Sequence, residues 1–110
     1  MTYREVKTMV ESIGLPFAYY QFTNDTAAAP PFICFYFDES DDEPADNTNW
    51  AKIRTLYIEL YTDEKDFELE STVEAVLATN DQFYTRSETY LDSERMMMVS
   101  YEMQVVITGG

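Results

Sequence analysis

The last third of the chain carries the pattern that most restricts its fold. Between Met97 and Ile107 the residues of one parity are apolar, whereas the other parity includes Ser100, Glu102 and Gln104. The apolar set consists of Met97, Val99, Tyr101, Met103, Val105 and Ile107. Successive side chains of a β-strand point to opposite faces of a sheet, so this alternation predicts a strand with one dry and one wet face. The dry face needs a second layer of structure against it.

The first segment, "TYREVKTMVESIG", has the signals of a helix. Thr2 and Glu5 form a capping box, in which each side chain satisfies the amide of the other residue. Apolar residues then recur at helical spacing, and they are Val6, Met9, Val10 and Ile13. Gly14 can adopt the left-handed conformation that ends a helix, and Pro16 prevents its continuation.

The segment "DEKDFELESTVEAVLATN" predicts a second helix. Either Thr62 or Asp63 can cap it, and acidic residues crowd the first turns, where the helix dipole favours negative charge. Its apolar face is expected to consist of Leu69, Val73, Val76 and Leu77. Asn80 is the expected C-terminal stop.

Five further segments read as strands. They are Phe17 to Phe22, Phe32 to Asp38, "KIRTLYIELYT", "QFYTRSETYL" and "RMMMVSYEMQVVIT", with a turn at Asp92-Ser93-Glu94 between the last two. The resulting order, α-β-β-β-α-β-β, predicts an α+β two-layer sandwich. In this fold two helices cover one mixed, mainly antiparallel sheet of about five strands. A length of 110 residues predicts a single domain, residues 1–110.

The third strand predicts two different faces of the sheet. Leu56, Ile58 and Leu60 share one parity and are expected to face the helices. Ile53, Tyr57 and Tyr61 share the other, where Thr55 and Glu59 are interleaved with them. A mixed face rich in tyrosine suits a subunit contact better than a dry core, so Tyr57 and Tyr61 are candidate contact residues.

Composition excludes several classes of function. The net charge is −14, from 21 acidic against seven basic residues, whereas a protein that grips phosphate needs the opposite sign. There is no histidine, so no Ser-His-Asp triad or imidazole metal ligand is possible. The single cysteine, Cys34, excludes an intrachain disulfide and the usual zinc sites, and its apolar surroundings predict a buried, unreactive thiol. We expect a soluble cytosolic protein without a cofactor or membrane span.

The stretch "YFDESDDEPADNTNW" concentrates the negative charge. Its acidic residues are Asp38, Glu39, Asp41, Asp42, Glu43 and Asp46, with no basic residue among them. A calcium loop of the EF-hand type needs a central glycine, which this stretch lacks, although looser oxygen coordination stays open. No two acidic residues show surroundings that would separate their pKa values for acid–base catalysis, so we expect a protein that is not an enzyme. A solvated loop or a partner contact is the favoured interpretation.

Several stretches together resemble a known group of phage proteins. They are "GLPFAYYQF", "PPFICFYFDESDDEPADN", "LYIELYTDEKDFELESTVEAVL" and "FYTRSETYLDSERMMMVSYEM". The resemblance runs from about Gly14 to about Val105, and it is to small tail completion and tail terminator (tail-to-head joining) proteins of siphophages and prophages of Gram-positive bacteria. It implies a non-enzymatic structural protein, made in the host cytoplasm and located in the tail or neck of the virion.

The same resemblance implies partners and a role for the acidic loop. Such proteins form a hexameric ring on the tail tube, stop its growth and offer a surface to the head connector, or stopper, protein. DNA passes through the ring, and carboxylates at its rim or lumen would repel phosphate rather than grip it. Two alternatives remain open at this point. The loop can serve solubility alone, or the protein can be an acidic DNA-mimic decoy that occupies a host DNA-binding protein.

Overall fold

The computed structural model describes residues 1–21, 29–38 and 51–108. The elements in chain order are α1 (Tyr3–Glu11), β1 (Phe17–Tyr19), β2 (Phe32–Phe37), β3 (Ala51–Thr62), α2 (Phe67–Thr79), β4 (Thr85–Leu91) and β5 (Met96–Thr108). The predicted α+β class and the predicted order of elements are both confirmed. Neither helix has the length and hydrophobicity needed to span a membrane within the described ranges.

The five strands form one mixed sheet in the order β1-β2-β3-β5-β4. β1 runs parallel to β2, and every other neighbouring pair is antiparallel. The central pair is β3 and β5, which stay in register from Ala51 opposite Thr108 to Thr62 opposite Met97. These two long strands form the middle of the sheet, and β1 and β4 form its edges.

The first helix follows its local signals closely. The Thr2 hydroxyl accepts from the Glu5 amide at 3.1 Å, and the Glu5 carboxylate accepts from the Thr2 amide at 2.7 Å, which confirms the capping box. This arrangement satisfies amide groups that have no partner within the helix. Gly14 has a φ of 90°, a left-handed value that a glycine adopts without strain, so the chain reverses there towards β1.

The predicted cap of the second helix was wrong. Asp66 caps α2, and its carboxylate accepts from the Leu69 amide at 3.0 Å. Thr62 cannot do so because β3 continues through it, where it is buried and lies opposite Met97. The chain must leave the sheet after Thr62 before a helix can begin, so the cap falls several residues later. Asn80 is the C-cap, as expected.

Two strands are three residues shorter than the sequence predicts. β1 ends at Tyr19, because Tyr20 has a φ of 73° and turns the chain away, and Phe22 lies outside the described residues. β4 begins at Thr85 rather than at Gln82. The expected turn between β4 and β5 is confirmed, and Arg95 closes it with a φ of 53°.

One hydrophobic core fills the space between the helices and one face of the sheet. The helices contribute Val6, Met9, Val10, Val73 and Leu77, Ile13 joins them just after α1, and Leu69 and Val76 pack at the margin of the core. The strands contribute Ile33, Phe35, Phe37, Leu56, Ile58, Leu60, Val99, Tyr101, Met103, Val105 and Ile107. In each of the three strands these residues alternate, so they share one face, which we call the covered face. The predicted facing of β3 and β5 is confirmed.

Candidate functional site

The face of the sheet opposite the two helices, which we call the open face, carries the candidate contact residues Tyr57 and Tyr61. Their rings lie in cross-strand pairs rather than singly. Tyr57 is opposite Tyr36, with ring centres 5.1 Å apart, and Tyr61 is opposite Phe32, with ring centres 4.9 Å apart. Tyr20 stacks on the Tyr36 ring at 5.2 Å. Stacked rings at these distances stabilise each other beyond the area that they bury, so the aromatic groups form an ordered surface.

Glu59 organises the polar ends of these rings. Its carboxylate accepts hydrogen bonds from the Tyr36 hydroxyl at 2.9 Å and from the Tyr61 hydroxyl at 2.7 Å. Burial, and next the hydrogen bond to Glu59, raises the pKa of both phenols above the ordinary tyrosine range. Both tyrosines therefore remain neutral donors at physiological pH. The alternation Tyr57, Glu59, Tyr61 places all three on one face, but the sequence does not show that β2 lies beside β3 in the register that brings Tyr36 to Glu59.

Charge on the open face has a single sign among the strand positions that the structure describes. Glu59 and Glu102 belong to this face, and no Lys or Arg does. Lys52, Arg54 and Arg86 have the opposite parity and project to the side of the helices. Aromatic rings and carboxylates without basic side chains suit a partner surface that brings Lys or Arg.

The start of the acidic stretch is fixed to the end of β2. The Asp38 amide donates to the Thr55 carbonyl at 3.0 Å, which extends the pairing of β2 with β3 by one residue. The Asp38 carbonyl accepts from the Arg54 guanidinium at 3.4 Å, and Arg54 also donates to the Tyr3 hydroxyl at 3.0 Å. The remaining predicted members of the loop lie outside the described residues, and they are Glu39, Asp41, Asp42, Glu43 and Asp46.

A second polar cluster was not predicted from the sequence. Glu70 of α2 is only 4% exposed, and its carboxylate pairs with Lys65 at 2.8 Å and with Arg86 of β4. Glu88 accepts from both basic side chains, at 3.0 Å from Lys65 and 3.1 Å from Arg86. The hydrogen bond from Lys65 is the main reason that the pKa of Glu88 lies below its usual value.

The same cluster extends to the core through Tyr101. Its hydroxyl donates to the Glu74 carboxylate at 2.9 Å, and burial is the main reason that the pKa of this phenol is raised. Glu70 and Glu74 are four residues apart and lie on one face of α2, a spacing that could have indicated a shared basic partner. Each carboxylate in the cluster is paired, so its chemistry is that of a clamp between α2 and β4 rather than of a catalytic acid or base.

Cys34 is buried, as predicted, with 5% of its surface exposed. Within residues 1–21, 29–38 and 51–108, no three His, Cys, Asp or Glu side chains lie close enough to hold a metal ion. Neither a model of a known protein family nor a curated protein matches this chain in sequence.

Proposed function

We propose that this protein is a non-enzymatic assembly protein of the bacteriophage head–tail junction. In this role it ends or completes the tail tube and joins it to the head connector, as a six-membered ring of identical subunits. It acts in the host cytoplasm during assembly and remains in the tail or neck of the virion. The observation that carries the proposal is the open face, an ordered aromatic and acidic surface on a small two-layer domain.

The composition of the open face supports a role in protein contact. Tyr36, Tyr57 and Tyr61 present rings whose positions are already fixed by stacking and by Glu59, so little side-chain entropy is lost on docking. Tyrosine is enriched where protein surfaces meet. The partners that fit are protein surfaces with Lys or Arg, here the tail tube protein or the head connector.

The charge also agrees with a position beside the DNA path. A net charge of −14 opposes binding to phosphate, and acidic groups near a channel let DNA slide instead of holding it. Lys65 and Arg86 are held in ion pairs with glutamates, so these two basic residues are already engaged and do not offer a grip on phosphate. This last observation equally favours the second candidate function, an acidic decoy that mimics DNA.

Deletion of the gene from the phage distinguishes these functions. If the protein terminates the tail, particles without it carry overlong tails. If it completes the tail, they carry tails of normal length that are not joined to heads. Normal infectious particles would contradict an assembly role and would leave the decoy function as the better account. Negative-stain electron microscopy of the particles gives the result directly.

A matched pair of variants links the phenotype to the open face. Glu102→Lys reverses one charge on that face, whereas Glu94→Lys makes the same change in the exposed turn between β4 and β5. We expect Glu102→Lys to reduce the yield of joined particles at least tenfold, and Glu94→Lys to have little effect. Melting curves of both proteins check that folding is retained. Equal yields from both variants would show that the open face is not the contact surface.

A further inference from the structure

The outer edge of β4 is an exposed sheet edge. β4 has only β5 beside it in the described part of the chain, and six of its seven residues are exposed. Large side chains are exposed on it and just before it, since Tyr90 is 49% exposed and Phe83, two residues before β4, is 91% exposed. An uncovered edge strand of this length readily pairs with another strand.

The direction of the backbone groups of β4 follows from its neighbours. The Met1 amine donates to the Val106 carbonyl, and the Thr108 amide donates to the Met1 carbonyl, so even-numbered residues of β5 turn their backbone groups away from β3. Glu102 of β5 lies opposite Thr85, so Thr85, Ser87 and Thr89 face β5. The N–H and C=O groups of the intervening residues, Arg86, Glu88 and Tyr90, therefore point outwards.

We propose that two copies of this chain pair through β4, antiparallel, about a two-fold axis at Ser87. This register places Arg86 opposite Glu88 of the second copy on the helix side of the sheet. On the open-face side it places Thr85 opposite Thr89. Just beyond the strand, Phe83 meets Leu91 and Tyr84 meets Tyr90. Opposite charges, paired threonines and aromatic pairs are all favourable cross-strand neighbours.

The register whose centre is shifted by one residue along β4 also matches the outward backbone groups, but it is less favourable. It centres on Glu88, so it brings the two Glu88 carboxylates directly opposite each other and leaves Arg86 facing Tyr90. Like charges in that position are destabilising. The Glu88 side chain of a single chain is 40% exposed. In the register centred on Ser87 it can therefore accept a hydrogen bond from Arg86 of the other copy while it keeps its own contacts.

A second copy fits this edge better than an unlimited series of strands. A two-fold contact uses the same edge of both subunits and closes, so pairing ends at two chains. The β1 edge is only three residues long and offers little for further addition. The pairing is argued from the β4 edge, whereas the proposed function rests on the open face, so failure of one leaves the other standing. A two-fold contact is not the one that repeats around a six-membered ring, so the pairing describes the free protein in solution, before any ring assembles.

Sedimentation velocity and engineered cysteines test the pairing and its register. With increasing concentration the wild-type protein should shift towards twice the chain mass of 12.8 kDa. Ser87→Cys places two thiols across the axis in a pair without hydrogen bonds, where Cα atoms are about 4.5 Å apart, within the range of a disulfide. Oxidised glutathione should therefore convert Ser87→Cys to a covalent dimer.

Two controls use the same face of the same strand. Thr89→Cys alone should not cross-link, because its two copies lie about 13 Å apart, four residues along the strand. An equal mixture of Thr85→Cys and Thr89→Cys should cross-link only as the mixed pair. The native Cys34 is present and buried in every sample, and the wild-type protein measures its background.

Three results would overturn the proposal. The first is a wild-type protein that sediments as a monomer at every concentration. The second is equal cross-linking of Ser87→Cys and Thr89→Cys, since random collisions do not distinguish the two positions. The third is a mixture of Ser87→Cys and Thr89→Cys that cross-links faster than Ser87→Cys alone, because that result indicates the register centred on Glu88.

Discussion

On the covered face of the sheet, Leu56, Ile58 and Leu60 of β3 are at most 1% exposed, whereas on the open face Tyr57, Glu59 and Tyr61 of the same strand keep part of their surface in water. The covered face is stabilised by apolar burial against two helices. The open face is ordered by ring stacking and by two hydrogen bonds to one carboxylate. One strand therefore provides stability on one side and an ordered, partly exposed aromatic surface on the other.

The largest expected effect is on the covered face. Ile58→Ala removes a side chain that is 0% exposed and lies between Phe35 and Tyr101 in the sheet register. We expect a loss of about 2–5 kcal/mol in the free energy of unfolding, because a cavity remains where the side chain was. Thr55→Ala on the open face is the control and should cost under about 1 kcal/mol. Urea melts measure both, and equal losses would show that the faces of β3 do not differ as described.

The clamp between α2 and β4 should give the next largest effect. Glu70→Gln removes the charge that pairs with Lys65 and Arg86 and leaves a buried amide with poorer partners. We expect a cost of about 1–3 kcal/mol, the usual range for a damaged hydrogen-bonded charge. Glu68→Gln in the exposed first turn of α2 is the matched control. Equal melting temperatures for the two variants would mean that the buried cluster adds nothing to stability.

A smaller effect is expected on the open face. Tyr61→Phe keeps the ring stacked on Phe32 but removes one of the two hydrogen bonds to Glu59. The expected loss is about 0.5–1.5 kcal/mol, typical of a single hydrogen bond. Thermal melts measure this value, and Tyr90→Phe at the exposed edge is the control. A loss as large as that of Ile58→Ala would contradict the division of roles between the two faces.

Alkaline pH should destabilise the folded state through the three tyrosines whose hydroxyls donate to glutamates. The pKa values of Tyr36, Tyr61 and Tyr101 are raised in the folded protein, mainly by burial. Above the ordinary tyrosine pKa of about 10, the unfolded chain loses these protons first, so stability falls as the pH rises. Stability near neutral pH is unaffected. Ultraviolet titration should detect these phenolates at lower pH in urea than in buffer, and coincident titrations would contradict the hydrogen-bonded arrangement.

The smallest effect on stability is expected in the acidic stretch. Asp41→Asn, Asp42→Asn and Glu43→Gln together should change the free energy of unfolding by no more than about 0.5 kcal/mol, because neighbouring like charges contribute little or oppose folding. Joining of heads to tails or infectivity should nevertheless fall, and replacement by Lys should reduce it further. Normal particles from a stably folded triple variant would leave the stretch with a role in solubility alone.

Local signals in the sequence predicted a large part of the fold. The capping box of Thr2 and Glu5, the left-handed Gly14 and the alternation along β5 each involve residues within a few positions of one another. Such patterns determine whether a segment becomes a helix or a strand, and which side of it is apolar, because they depend only on local hydrogen bonding and side-chain geometry. The class, the element order and the core facing of β3 and β5 followed from them.

The arrangement of the polar groups was decided only by the tertiary structure. Glu70 looked like an ordinary solvated residue of an acidic helix, yet it is buried because Arg86, 16 residues away, comes under α2 when β4 takes its place beside β5. Glu59 binds Tyr36, 23 residues away, only because β2 pairs with β3 in one particular register. Asp66 became the cap of α2 because β5 extends the pairing of β3 through Thr62. These partners belong to different elements, so strand order and register, which no local pattern encodes, determine which polar groups meet.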